Sequence, residues 1–284
     1  SDVWRHRFLT WGIAIAVFGM RFLFPVLVVS IFAHLDMMTV TKIALTDSQK
    51  YAGYLHATHA PIVTFGGMFL IMLFLNYFFN HEKNVHWLKF IEAPLSHLDN
   101  IRGIEIIVSL LMLIGVQSFI PVDSKVAVII SGLAGILTFL SIDGVAHFLE
   151  KHEEMRNVKC TADSVKCAGL ISFIYLELID ASFSLDGVLG AFALSNDVLI
   201  ITIGLAIGAM FVRSLTIMLV EKKTLAQFLY LEHGAHWAIG ALAVIMLIST
   251  VKEVPEVVTG LIGLFFIVAA LISSIIHNKK QLQK

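Results

Sequence analysis

The sequence predicts an all-α protein, a polytopic bundle of membrane helices, on the basis of three observations. Apolar residues make up 58% of the 284 residues and charged residues only 14%, against roughly 25% charged residues in soluble domains. The apolar residues form eight long runs, and the basic residues alternate between the connections. A formal net charge of -1 gives no overall basic field for nucleic acid, so we expect no nucleic-acid partner.

Eight nearly uncharged runs, lettered A to H, are each long enough to cross about 30 Å of hydrocarbon as a helix. A chain in lipid must satisfy its backbone hydrogen bonds internally, so each run is predicted to be one helical span. In order, the runs cover residues 8–33, 55–79, 103–122, 126–149, 168–195, 198–220, 233–251 and 254–276. The connection 34–54 between runs A and B is predicted to be an external loop.

Lys and Arg residues in the connections predict the orientation of the spans, because short cytoplasmic loops carry the excess of positive charge. One side of the predicted membrane has four of them: Lys42, Lys50, Lys125 and Lys252. The other side has 14 of them: Arg5, Arg7, Lys83, Lys89, Arg102, Lys151, Arg156, Lys159, Lys166, Lys222, Lys223, Lys279, Lys280 and Lys284. Both ends of the sequence are therefore predicted to be cytoplasmic.

An internal repeat relates the start of the chain to its second half. Residues 11–28 aligned with residues 203–220 share seven identities in 18 positions, among them the pair Arg21 and Arg213. The following run aligns His59 with His236. Because runs A and F are predicted to cross in opposite directions, as are B and G, the pattern is typical of the inverted-topology repeats of secondary transporters.

The repeat divides the chain into three predicted parts. Residues 1–100 form the first repeat with two spans, and residues 101–166 form two connecting spans and a cytoplasmic loop. Residues 167–284 form the second repeat, which contains an acidic motif helix in run E. No counterpart of run E precedes run A in this sequence, so we expect a further span upstream of Ser1.

Run E carries Glu177, Asp180 and Asp186 near the predicted bilayer midplane. Each charged residue there costs about 2.5–3.5 kcal/mol to insert, whereas a Leu or Ile returns about 0.3–0.6 kcal/mol, so three acids in one run indicate a function. Glu177, Asp180 and Ser184 share one helical face, and a break at Gly187 would turn Asp186 toward them. Such oxygen ligands suit a hard divalent cation such as Mn²⁺, Mg²⁺ or Ca²⁺.

A second interpretation is structural: the acids of run E pair with Arg21 and Arg213 and only hold helices together. The two arginines are then locking partners for the acids, or alternatively they line an anion path. His59 and His236 are either packing residues or supporting residues of the site.

The two cysteines, Cys160 and Cys167, have a spacing unlike that of the cysteine pairs in zinc sites. They are predicted to be reduced structural thiols. No tightly bound cofactor is expected.

A motif in run E resembles the second signature of the TerC integral membrane proteins, E-x2-D-x2-F-x2-D-S-[IV]. In this sequence it reads Glu177-x2-Asp180-x2-Phe183-x2-Asp186-Gly187-Val188. Gly187 stands where the family usually has Ser or Asn, and Leu189 where a Pro often follows. The layout is also similar to that of the wider LysE-like exporter group, and runs A, B and G look closest to a bacterial branch of the TerC family. The resemblance implies manganese efflux or tellurite resistance in a bacterial inner (plasma) membrane.

These observations predict a transporter that exports a divalent metal ion, with Mn²⁺ as the first candidate and proton antiport as the coupling. Two alternatives stay open, a tellurite or other oxyanion permease that uses the arginines, and a non-transporting membrane assembly partner. Neither an H-E-x-x-H nor a G-x-S-x-G motif occurs, so we expect no enzyme. The expected partners are the bilayer, the metal substrate and, in a homo-oligomer, further copies of the chain.

Overall fold

The computed structural model describes residues 19, 23–32, 35–79, 87–96, 103–156, 198–221, 228–252 and 254–282 of the chain. These residues form ten α-helices and contain no strand. The helices are α1 (Phe24–Phe32), α2 (Met37–Thr46), α3 (Ser48–Ala57), α4 (His59–Phe79), α5 (Lys89–Ser96), α6 (Ile104–Gln117), α7 (Val122–Arg156), α8 (Val198–Glu221), α9 (Leu231–Ser249) and α10 (Glu256–Leu282). The predicted all-α class is confirmed for this part of the chain.

Four of the described helices have segments long and apolar enough to cross a membrane: His59–Phe79, Ser124–Val145, Leu231–Ser249 and Val257–Lys279. They coincide with the predicted runs B, D, G and H. Large apolar side chains are exposed on the last three of these segments, among them Leu264 and Phe265 of α10, whereas His59–Phe79 is mostly buried. Helices of this length with apolar outer faces fit a helical membrane protein.

Run C forms a shorter helix than predicted. α6 has 14 residues and ends at Gln117, which gives about 21 Å at roughly 1.5 Å per residue, whereas the hydrocarbon core is about 30 Å thick. The chain then turns through Ser118–Ile120 before α7 begins at Val122. Pro121 accounts for the turn, because a proline disfavours the helical conformation of the residue before it and clashes with a carbonyl one turn back. The count of eight spans therefore stays a prediction.

The connection 34–54, predicted as a loop, instead contains α2 and most of α3, which ends at Ala57 inside the predicted run B. The Asp36 carboxylate accepts a hydrogen bond from the Met38 N–H at 3.0 Å, and the Asp47 carboxylate accepts one from the Lys50 N–H at 3.1 Å. The Asp47 N–H donates to the carbonyl of Ile43 at the end of α2. Asp47 thus ends one helix and begins the next, and both acids satisfy N–H groups that a helix start leaves unpaired.

The chain divides into two compact units, and the first consists of Ser1–Ile62 with Leu137–Leu215. Side chains of α1, α2, α3 and α8 form its described core: Val26, Val29, Val40, Ala44, Tyr51 and Ile201. Burial raises the pKa of the Tyr51 hydroxyl above its ordinary value, because a low-dielectric environment disfavours the charged form. Tyr51 is therefore a neutral member of this core.

The second unit consists of Val63–Ile136 with Thr216–Lys284. α4 and α7 approach closely at Gly135, where a Cβ atom would press against the backbone carbonyl of Phe65. Small residues at such crossings allow two helix backbones to come together. The predicted division into residues 1–100, 101–166 and 167–284 concerns sequence repeats rather than compact units, and it stays a prediction.

Candidate functional site

The predicted metal ligands lie outside the described residues: Glu177, Asp180, Ser184 and Asp186. Arg21 also lies outside them, and Arg213 is placed on α8 by its backbone alone. His59 is the first residue of α4 and is half-buried. His236 lies on α9 and belongs to a polar and aromatic cluster in the second unit, which we describe as the candidate site.

His233 and His236, three residues apart on α9, both contact Tyr77 near the end of α4. The hydroxyl of Tyr77 lies 2.7 Å from His233 Nδ1, and the ring of His236 stacks on the ring of Tyr77 with centroids 3.4 Å apart and an angle of 8°. His236 Nδ1 donates to the Glu232 carbonyl at 2.9 Å, so its hydrogen is on Nδ1. Residues at this spacing share one helix face, and that face of α9 is therefore joined to α4.

The Tyr77 hydroxyl and the His233 imidazole share a hydrogen bond that joins α4 to α9. A hydroxyl can donate or accept, so the direction of this bond depends on which ring nitrogen of His233 carries hydrogen. His233 is only 5% exposed. The bond therefore holds a buried imidazole to the end of α4.

Glu92 is a carboxylate that is only 2% exposed and is held by three N–H groups. Its Oε2 accepts from the backbone N–H of Trp87 at 2.8 Å, and its Oε1 accepts from the backbone N–H of Leu88 at 3.2 Å and from Trp237 Nε1–H at 3.0 Å. A buried charge is tolerated when hydrogen bonds replace its hydration. Glu92 thus closes the start of α5 and ties it to α9.

Trp237 has aromatic neighbours from two further helices. Phe74 and Phe78 of α4 lie with ring centroids 5.4 and 5.1 Å from the Trp237 ring, and Phe266 of α10 stacks on it at 6.1 Å. Aromatic pairs at these distances are favourable beyond the area that they bury. These ring contacts fix the orientation of Trp237, whose indole N–H donates to Glu92.

The hydrogen bonds and ring contacts of the cluster join three helices. Tyr77 of α4 contacts His233 and His236 of α9, and Glu92 of α5 accepts a hydrogen bond from Trp237 of α9. Among the residues that the structure describes, no group of three or more His, Cys, Asp and Glu side chains is placed to hold a metal ion. The contacts of the cluster hold α4, α5 and α9 together.

Sequence reasoning identified His236 but missed the groups around it. Tyr77, Glu92 and Trp237 stand in ordinary apolar or amphipathic surroundings in the sequence. A glutamate in the first turn of a helix is the only local signal, because this is where a carboxylate reaches back to the starting N–H groups. That signal points to a cap, and it does not reveal the bond to Trp237.

Replacing Glu92 by glutamine should lower the free energy of unfolding by about 1–3 kcal/mol, the cost of leaving a buried polar group without its partner. One oxygen of the carboxylate becomes an NH₂ group, which would face the N–H donors that now bind Glu92. Thermal unfolding in detergent, followed by tryptophan fluorescence, measures the change.

Glu105→Gln is the matched control, because Glu105 is a half-buried acid in the first turn of α6. It should lose only the interaction with the helix dipole, about 0.3–1 kcal/mol. If Glu92→Gln unfolds at the temperature of the parent protein, Glu92 does not hold α5 to α9.

Comparison with known proteins gives one match. No curated protein and no solved structure matches the chain. Residues 1–281 match the model of the family described as "Protein of unknown function (DUF475)". Because the match spans nearly the whole chain, this protein belongs to the DUF475 family.

Proposed function

We propose that this protein is an integral membrane transporter that exports a divalent metal ion, with Mn²⁺ as its first substrate. The observation that carries the proposal is the set of Glu177, Asp180 and Asp186 in an apolar run, 168–195, that contains no Lys or Arg. Acids at membrane depth are expensive, and they usually mark ion or proton pathways. Their oxygen atoms are ligands that Mn²⁺ accepts.

The resemblance of the same motif to the TerC signature supports the choice of Mn²⁺, since members of that family are implicated in manganese efflux. In the proposed site Ser184 adds an oxygen ligand to the three acids. Arg21 and Arg213 would hold or release the acids, and His59 would support the site. The ion is the cargo of the protein, and no resident cofactor is proposed.

The long apolar helices support a location in a membrane. From the distribution of 14 and four basic residues we propose a multi-pass protein of the bacterial inner membrane, with eight spans and a cytoplasmic C-terminus. In this topology the end of α4 and the start of α9 lie on the cytoplasmic side. The His233 imidazole would then lie on that side, where proton antiport requires a group that binds a proton.

Flux into liposomes tests the proposal directly. Liposomes that contain the purified protein and a Mn²⁺-sensitive dye should take up Mn²⁺ faster than protein-free liposomes, and an acidic lumen should accelerate the uptake and become more alkaline. Inhibition by tellurite without any Mn²⁺ flux would instead favour an oxyanion permease. If no divalent cation and no oxyanion crosses, the transporter proposal is wrong and an assembly role is favoured.

A further inference from the structure

The short helix α5 has an inverted pattern of burial among the side chains that the structure describes. Glu92 is only 2% exposed, whereas Phe90 is 92% exposed and Ile91 is 45% exposed. Pro94, one helical turn after Phe90, is exposed as well. A surface helix in water has the opposite arrangement, with its polar side chains outward and its apolar side chains inward. This outer face of α5 therefore suits lipid better than water.

The contacts of Trp237 give the level of α5 along the membrane-crossing segments. Glu92 accepts a hydrogen bond from the Trp237 indole. Trp237 lies about 9 Å along α9 from Leu231, the first residue of its apolar segment, at roughly 1.5 Å per residue. The ring of Phe78, in the last turn of the apolar segment His59–Phe79, is 5.1 Å from the Trp237 ring. The buried face of α5 thus lies against the ends of two apolar segments and within their length.

This level corresponds to the boundary between lipid headgroups and acyl chains. Interfacial helices insert their apolar face about 5–10 Å into that boundary, which agrees with the position of Trp237 in its segment. Phe90 lies about 160° around α5 from Glu92, at 3.6 residues per turn. Because Glu92 faces α9, Phe90 faces away from the protein. The medium that surrounds the two segments at this level is lipid.

We infer that α5 is an interfacial helix whose outer face, formed by Phe90, Ile91 and Pro94, inserts into the lipid leaflet beside the end of α4 and the start of α9. The Glu92 carboxylate holds the helix to the protein, and the apolar face holds it to the bilayer. The inference rests on the membrane location of the protein and on none of the residues of run E. A helix attached on both sides would fix the depth of these two helix ends.

Spin-label accessibility tests the inference on the full chain in liposomes of phosphatidylethanolamine and phosphatidylglycerol. Cys160→Ser and Cys167→Ser remove the native thiols, and the label is attached at Phe90→Cys. Lys50→Cys, at an exposed position of α3 outside the candidate spans, is the reference for water. Phe265→Cys, 66% exposed in the apolar segment of α10, is the reference for lipid.

The label at Phe90 should collide with dissolved oxygen more often than with a water-soluble nickel chelate, because oxygen concentrates in hydrocarbon and the chelate stays in water. Its ratio of collision rates should resemble that at Phe265 and differ from that at Lys50. The corresponding depth should be about 5–10 Å into the boundary, shallower than the label at Phe265. Ile91→Cys should give the same result, and it decides if the Phe90→Cys protein does not fold.

Two results would overturn the inference. A label at Phe90 that meets the nickel chelate as often as the label at Lys50 does lies in water. A label shielded from both reagents is covered by protein, and dipolar broadening between labels would identify a second copy of the chain as the cover. If the label at Phe265 also meets the chelate, the membrane location itself is wrong, whereas failure at Phe90 alone leaves that location and the proposed function intact.

Discussion

Alanine at Gly135 should lower the free energy of unfolding by about 1–3 kcal/mol, and leucine there should prevent the protein from accumulating. A Cβ atom at this position of α7 would press against the Phe65 carbonyl oxygen of α4 and lie 3.3 Å from the backbone nitrogen of Phe69. Backbone atoms in a helix cannot rotate away as a side chain can, so the two helices would have to separate. This cost exceeds the gain of about 0.5–1 kcal/mol that alanine brings to a helix interior.

Gly144→Ala, on the same helix, is the control for the Gly135 variants. A Cβ at Gly144 meets nothing within 4 Å, so this variant should be as stable as the parent or more stable. The unfolding midpoint in a denaturing-detergent titration measures all three proteins. If Gly135→Ala and Gly144→Ala shift the midpoint equally, the close approach of α4 and α7 is not what requires glycine.

The long apolar helices were predictable because insertion into a bilayer depends on the local composition of about 20 residues. α4, α9 and α10 accordingly match runs B, G and H. The early end of α6 was also predictable from the sequence, because Pro121 explains the turn that follows this helix. The same holds for α2 and α3, whose starts are signalled by Asp36 and Asp47 as helix caps.

The candidate site depends on contacts that no local pattern contains. Glu92 and Trp237 are 145 positions apart, and Tyr77 and His233 are 156 positions apart. Periodicity and composition describe one helix at a time, so they do not show which helices become neighbours. His236 was identified only because the internal repeat singled it out, and the repeat indicates equivalence rather than contact.

Asparagine at Asp180 or Asp186 should abolish the protection of cells from excess manganese while the protein accumulates normally. The substitution keeps the shape of the side chain, and it removes a charge whose insertion costs about 2.5–3.5 kcal/mol. If the acid serves only as a metal ligand, the asparagine variant is therefore expected to insert into the membrane at least as well as the parent protein. The measurement is growth in manganese together with the amount of protein in the membrane fraction.

The same two variants distinguish a metal ligand from a structural ion pair. If Asp180 and Asp186 only pair with Arg21 and Arg213, their loss leaves a buried arginine unpaired at a cost of about 3–5 kcal/mol, and the protein should accumulate poorly. Asp143→Asn is the matched control, because Asp143 is the single acid in the sequence of run D, on α7, and lies outside the motif of run E. This variant should protect cells as the parent does. Normal protection by both run E variants, or their degradation, would mean that these acids do not bind the transported ion.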